Sequence, residues 1–96
     1  MNLDNTLRNT QTVYIDVRTP QEFYSGHFPG ARNIPLDELM MHLDELKRTN
    51  APLVLYCRSG ARSTGALILL KEAGLQDVYN GGALENLLMT AQRKMT

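Results

Sequence analysis

An apolar segment that runs without a break into a short polar loop sets the architecture of this chain. Leu53-Val54-Leu55-Tyr56 leads directly into Cys57-Arg58-Ser59-Gly60-Ala61-Arg62-Ser63, and an apolar stretch over about 64–73 follows before Gly74. Side chains of a strand point alternately to its two faces, so an unalternated apolar run needs cover on both sides. The stretch after the loop reads as a helix, and Gly74 stands where a left-handed cap would end it. Strand, tight loop and helix in that order call for a mainly parallel α/β sheet with helices on both faces.

The rest of the chain repeats the alternation. Residues up to Thr12 are polar and read as a loose arm or a short first helix. Val13 to Val17 is a second buried strand. Thr19-Pro20-Gln21-Glu22 opens a short helix: Thr19 caps, Pro20 suits the first turn, and Glu22 completes a capping box. Gly26 and Pro29-Gly30 end it quickly. A brief strand within 31–36 precedes a helix on which Leu36, Leu39, Met40, Leu43 and Leu46 form one apolar stripe. Asp77-Val78-Tyr79 reads as a short strand and Asn80-Gly81-Gly82 as a turn. Leu84, Leu87, Leu88, Ala91 and Met95 form a last stripe, and Met40, Met41 and this stripe are assigned to the core.

Ninety-six residues allow one modest core and one domain over 1–96. Ten basic side chains balance ten acidic ones, which gives no footing for nucleic-acid or membrane-surface binding through bulk charge. The halves differ: residues 1–46 carry seven acidic and three basic side chains and residues 47–96 the reverse, a weak pointer to an anion site in the second half. A single cysteine excludes an internal disulfide and a multi-cysteine zinc site. His27 lies in a turn and His42 among solvent-facing helix positions, and neither has paired ligands for a metal. No apolar run reaches the roughly 18 residues of a membrane span. The polar start reads as cytoplasmic, or periplasmic if a leader was removed before residue 1.

Cys57 carries the chemistry. It stands at the carboxyl end of a buried strand, where open α/β sheets place their ligands. The loop is short enough to curl its amides around one point, and the following helix start adds partial positive charge. Arg58 and Arg62 add two cations, and Gly60 permits positive φ inside the curl. These features favour thiolate over thiol and predict a pKa below the free value of about 8.5. Ser59 suits the turn, and Ser63 reads as a helix cap.

Three segments resemble single-domain rhodaneses, the thiosulfate sulfurtransferase family: YIDVRTPQEFYSGHFPGARNIPL at 14–36, YCRSGARS at 56–63 and GLQDVYNGG at 74–82. The resemblance implies a small, mainly parallel sheet of four to five strands flanked by helices. It implies that Cys57 takes up sulfur as a persulfide, that the amides from Arg58 through Ser59, Gly60, Ala61 and Arg62 to Ser63 surround it, and that Arg58 and Arg62 receive an anionic donor. It assigns Asp16 and Arg18 to bracing and Glu22 to capping alone. The family often has tryptophan soon after the double glycine; this chain offers Ala83, Leu84 and Leu87, which opens the pocket.

The reaction so implied is a ping-pong transfer without cofactor. Thiosulfate or another sulfane-sulfur donor loads Cys57, and cyanide, a small thiol or a protein thiol partner unloads it. Arg58 after the cysteine resembles thiosulfate-using loops more than mercaptopyruvate-using ones. One alternative is a non-enzymatic module that binds partners or senses oxidants through an exposed thiol. A phosphatase or arsenate reductase ranks behind it, because its loop resembles Cys-x5-Arg whereas Arg62 here gives Cys-x4-Arg.

Overall fold

The computed structural model describes the backbone of residues 3–95 and the side chains of residues 3–93, so the Met95 side chain falls outside the described residues. The elements are α1 (Leu3–Arg8), β1 (Val13–Asp16), α2 (Pro20–Tyr24), β2 (Arg32–Asn33), a 3-10 helix (Leu36–His42), α3 (Leu43–Arg48), β3 (Leu53–Cys57), α4 (Ala61–Glu72), β4 (Val78–Ala83) and α5 (Leu84–Met95). Among the described residues the strands form one four-stranded sheet in the order β2-β1-β3-β4, with every neighbouring pair parallel. Parallel strands share one carboxyl edge. Cys57 ends β3 at that edge, and Arg18 and Leu84 follow β1 and β4 from it.

Strand alternation divides the core into two layers. Ile15, Val17, Leu53, Leu55 and Cys57 join Ile34, Leu39, Leu46, Ala66 and Leu70 on the face covered by the 3-10 helix, α3 and α4. Val54 and Tyr56 join Leu7, Phe28, Leu87 and Ala91 on the face covered by α1 and α5. Each fully buried leucine or isoleucine contributes roughly 1.5–3 kcal/mol relative to exposure.

The local signals for α2 and α4 hold. The Thr19 hydroxyl accepts from the Glu22 amide, and Glu22 Oε1 accepts in return from the Thr19 amide at 3.0 Å. Gly74 has φ +106° beyond α4, and the amides of Leu75 and Gly74 donate to the carbonyls of Leu70 and Lys71, a six-to-one capping bond with its tighter companion.

Of the two readings of the first residues the structure has the short helix: residues 3–8 pack, with Leu7 2% exposed against Leu87 and Ala91. Three expectations change. The segment from Leu36 begins as a 3-10 helix, whose three-residue turn aligns Leu36 with Leu39 and turns Met40 and Met41 outward, 46% and 75% exposed. Leu88 and Met89 also face solvent, so these side chains are surface and the α5 core rests on Leu87 and Ala91. Finally, Asn80-Gly81-Gly82 is strand.

That last difference has a packing cause. Tyr56 pairs with Gly82 and Leu55 with Asn80, so Gly81 is the extra residue of a bulge. A Cβ on Gly81 would lie 2.9 Å from Val54 Cγ1 and 3.2 Å from both the Leu55 carbonyl and Leu87 Cδ2. Only glycine lets β4 approach β3 and α5 this closely. The Asn80 side-chain oxygen accepts from the Gly82 amide at 2.8 Å and holds the bulge.

Candidate active site

Cys57 is the last residue of β3, and its side chain is 0% exposed. The chain turns at once. Gly60 adopts φ +97° and acts as the cap residue of α4, which starts at Ala61, about three residues earlier than the apolar pattern suggests. This early start places Arg62 and Ser63 in the first helical turn, where amides have no partner within the helix. The Ser63 amide points at Cys57 Sγ from 3.4 Å and the Gly60 amide from 3.0 Å. The Ser63 hydroxyl lies 3.6 Å from the sulfur and donates to the Gly60 carbonyl at 3.1 Å.

Burial pushes the thiol pKa up, but the Ser63 hydroxyl and the amides of Ser63, Gly60 and Ser59 outweigh it, and the net shift is below the ordinary value. The expected direction holds, carried by the amides the loop was expected to supply and by the Ser63 hydroxyl, with neither arginine hydrogen-bonded to the sulfur. Ser63 is therefore no side-chain cap; Gly60 is the cap residue, and the serine faces the sulfur. Arg58, Ser59 and Ala61 form the exposed outer wall of the loop. Thr64 adds a hydroxyl bond to the Gly60 carbonyl at 2.8 Å, and Asn80 of β4 donates to that hydroxyl at 3.0 Å.

A matched profile of the rhodanese-like domain covers residues 2–84. This chain belongs to the rhodanese-like family. YqhL of Bacillus subtilis, an uncharacterised protein, is 47% identical over 66 residues, covering 69% of this chain and 52% of its own length. PspE of Escherichia coli, a thiosulfate sulfurtransferase, is 35% identical, covering 79% of this chain and 74% of its own length. The tRNA uridine(34) hydroxylase of Buchnera aphidicola is 33% identical over 86% of this chain but only 29% of the hydroxylase. The chain thus spans about half of YqhL and under a third of that hydroxylase.

Solved structures agree on the fold. An Escherichia coli rhodanese with anions superposes with TM-score 0.72 at 34% identity, covering 78% of this chain and 89% of that one. The human single-domain sulfurtransferase TSTD1 gives 0.73 at 30% identity, covering 91% and 89%.

Around the rhodanese-like loop, the two arginines part company. Arg62 Nη1 and Nη2 donate to the two carboxylate oxygens of Glu22 at 2.8 and 3.0 Å. The Arg62 bonds, with the Thr19 cap behind them, hold the Glu22 carboxyl down at about 2. Glu22 therefore does more than cap: one carboxylate closes the capping box and ties α2 to the first turn of α4. Arg58 is exposed, and among the described residues its guanidinium has no bonding partner. It lines an open cavity of about 530 Å³ with Arg18, Glu22, Ser25, Leu84 and Glu85.

Behind these groups lies the expected brace, a buried ion pair in which Arg18 Nη2 meets Asp16 Oδ2 at 2.6 Å. His27 has its expected turn role: Nδ1 lies 2.9 Å from the Phe23 carbonyl and the ring stacks on Phe23. His42 is half-buried rather than free in solvent, with Nδ1 3.2 Å from Glu45 Oε1. Among the described residues no three His, Cys, Asp or Glu side chains group as metal ligands, and no helix is long and apolar enough to cross a membrane.

The Arg62–Glu22 bond and the presence of Ser25 and Glu85 at the cavity escaped the sequence. Forty residues separate Arg62 from Glu22, and no local pattern joins them. Glu85 had a signal. It follows β4 by two residues, and the Cys57–Ala83 register sets it at the same edge as the thiol.

The lowered thiol pKa has a pH signature. The ultraviolet absorbance of the thiolate is expected to titrate with a midpoint below that of free cysteine. Ser63→Ala, which removes the largest of the lowering contacts, is expected to raise it. A native midpoint at or above the free value would show that burial dominates. Between the folded and unfolded pKa the native state binds fewer protons. The associated stability is therefore complete above the unfolded value and lost as pH falls through the folded one.

Proposed function

We propose that this protein is a sulfurtransferase that passes a sulfane sulfur, from thiosulfate or a persulfide, through Cys57 to cyanide or a thiol. The observation that carries the proposal is the sulfur at the floor of the loop with the Gly60 and Ser63 amides aimed at it. Membership of the rhodanese-like family, and similarity to the thiosulfate sulfurtransferase PspE, support it.

The Cys57 thiolate attacks the outer sulfur of thiosulfate; the new S–S bond forms as the old one breaks, and sulfite leaves with its electron pair. The Cys57 persulfide anion then yields its terminal sulfur to cyanide, giving thiocyanate and restoring the thiolate. Neither step needs a proton removed, which suits a loop without His, Asp or Glu. Amides that already point at the sulfur stabilise its negative charge without reorganising. Since Cys57 is fully buried, loading requires the exposed wall at 58–61 to give way. The remaining backbone amides of that wall are the groups available to a second sulfur.

Arg62, which the sequence sets as a donor-binding residue, serves here as a clamp. Arg58 is the cation open to a donor. The bonding of Arg62 to Glu22 also counts against phosphoryl transfer, where the loop arginine must face the anion.

Intact mass tests the proposal. Reduced protein incubated with thiosulfate is expected to gain one sulfur atom, and cyanide to remove it as thiocyanate. No adduct with thiosulfate or with glutathione persulfide would overturn the proposal.

A further inference from the structure

The charges around the cavity are nearly all spent. Arg18 is bonded to Asp16 and Arg62 to Glu22, each pair with charge-assisted hydrogen bonds. Two lining side chains, Arg58 and Glu85, have no hydrogen-bond or ion-pair partner among the described residues. They carry opposite charge. The register that pairs Cys57 with Ala83 puts them on adjacent strands' exits, Arg58 one residue past Cys57 and Glu85 two past Ala83. They share one open cavity yet are not bonded to each other. The cavity, at about 530 Å³, is in the range of small-molecule sites and much larger than a thiosulfate ion requires.

A dianion would meet Arg58 favourably and Glu85 unfavourably. A molecule with a carboxylate at one end and an ammonium at the other would satisfy both. Glu85 has an ordinary local role as well: it stands in the first turn of α5, where a carboxylate complements the helix dipole. That role accounts for an acid at the position but not for its sharing a cavity with an unpaired arginine.

We infer that this cavity selects a zwitterionic, amino-acid-type persulfide as sulfur donor, Arg58 taking its carboxylate and Glu85 its ammonium. The inference rests on the sulfur-transfer proposal and names its substrate class. The Cys57 thiolate attacks the outer sulfur of the donor hydropersulfide; an S–S bond forms on Cys57, the donor's S–S bond breaks, and the donor departs as its thiolate. The proton of the outer sulfur stays with the transferred atom.

Donors that differ by one charged group provide the test, with second-order loading of Cys57 followed by quenched mass spectrometry. Cysteine persulfide carries both groups, N-acetylcysteine persulfide only the carboxylate and cysteamine persulfide only the ammonium. The native protein is expected to load from cysteine persulfide about fivefold faster than from either truncated donor, the upper scale for a solvent-exposed ion pair. Glu85→Gln should erase the preference over N-acetylcysteine persulfide and speed loading from thiosulfate. Arg58→Gln should erase the preference over cysteamine persulfide and slow loading from thiosulfate. Equal loading from all three persulfides by the native protein would overturn the inference, as would a preference that survives Glu85→Gln. Loading from thiosulfate in either case would leave sulfur transfer itself standing. Failure of every donor to load would remove both.

Discussion

Cys57→Ser is expected to abolish sulfur transfer while leaving the domain folded. The chain has no second cysteine to take over. A serine hydroxyl is un-ionised at neutral pH and, were it to attack, would form an S–O bond instead of a persulfide. Removing the nucleophile of a covalent catalyst can cost on the order of 10⁶-fold in turnover, which on the proposed function places the variant below detection. Turnover within a hundredfold of native would mean that the sulfur does not pass through Cys57.

The fold should survive because the serine hydroxyl inherits the partners of the thiol. The amides of Gly60 and Ser63 and the Ser63 hydroxyl all face the position. Cys57→Ala removes the acceptor and leaves the Gly60 and Ser63 amides facing a void, at about 1–3 kcal/mol for each buried group left unsatisfied. Serine is therefore expected to melt above alanine at this site. If the thiol were an apolar filler of the core, alanine would be the better replacement, so the order of the two melting temperatures reports what the sulfur does.

Much of this could be seen in local sequence because the interactions concerned are local. Thr19 and Glu22 are three residues apart, and their capping box follows from spacing alone. The β3–loop–α4 passage joins an apolar strand to a glycine that only a tight turn needs. What escaped was decided at a distance. The double glycine looks like a turn until Val54, Leu55 and Leu87 are seen crowding Gly81. Met40 belongs to an apolar stripe only if the helix has 3.6 residues per turn, and the 3-10 geometry of Leu36–His42 breaks that count. Arg62 looks like an anion receptor because its loop is read alone; Glu22 reaches it from another element. The position of Cys57 was legible, while the bonding of Arg62 to Glu22, with Arg58 left exposed, needed the three-dimensional arrangement.

Asp16→Ala is expected to be the most destabilising single change near the site. Asp16 is 0% exposed at the end of β1 and accepts four bonds from Arg18: its amide at 2.9 Å and Nε at 2.9 Å on Oδ1, and Nε at 3.1 Å and Nη2 at 2.6 Å on Oδ2. Arg18 also donates to the Gly26 carbonyl at 2.7 Å, and its guanidinium lies 5.8 Å from the Tyr56 ring centroid. Asn33 of β2 donates to the carbonyls of both Asp16 and Arg18 at 3.0 Å. The pair thus fixes the turn from β1 into α2, which carries Glu22 to Arg62 and so sets the wall of the cradle.

A buried pair is weak evidence of net stabilisation, since desolvating two charges offsets most of their attraction. Breaking it is another matter. Removing Asp16 leaves a guanidinium buried with one carbonyl partner, at about 3–5 kcal/mol. At about 4 °C per kcal/mol that lowers the melting temperature by at least about 12 °C. Asp16→Ala combined with Arg18→Met removes both charges and should recover part of the loss. If the double variant melts no higher than Asp16→Ala, the cost lies in the carboxylate's grip on the Arg18 amide and the turn. A loss below about 1 kcal/mol in Asp16→Ala itself would show that the brace does not hold the cradle.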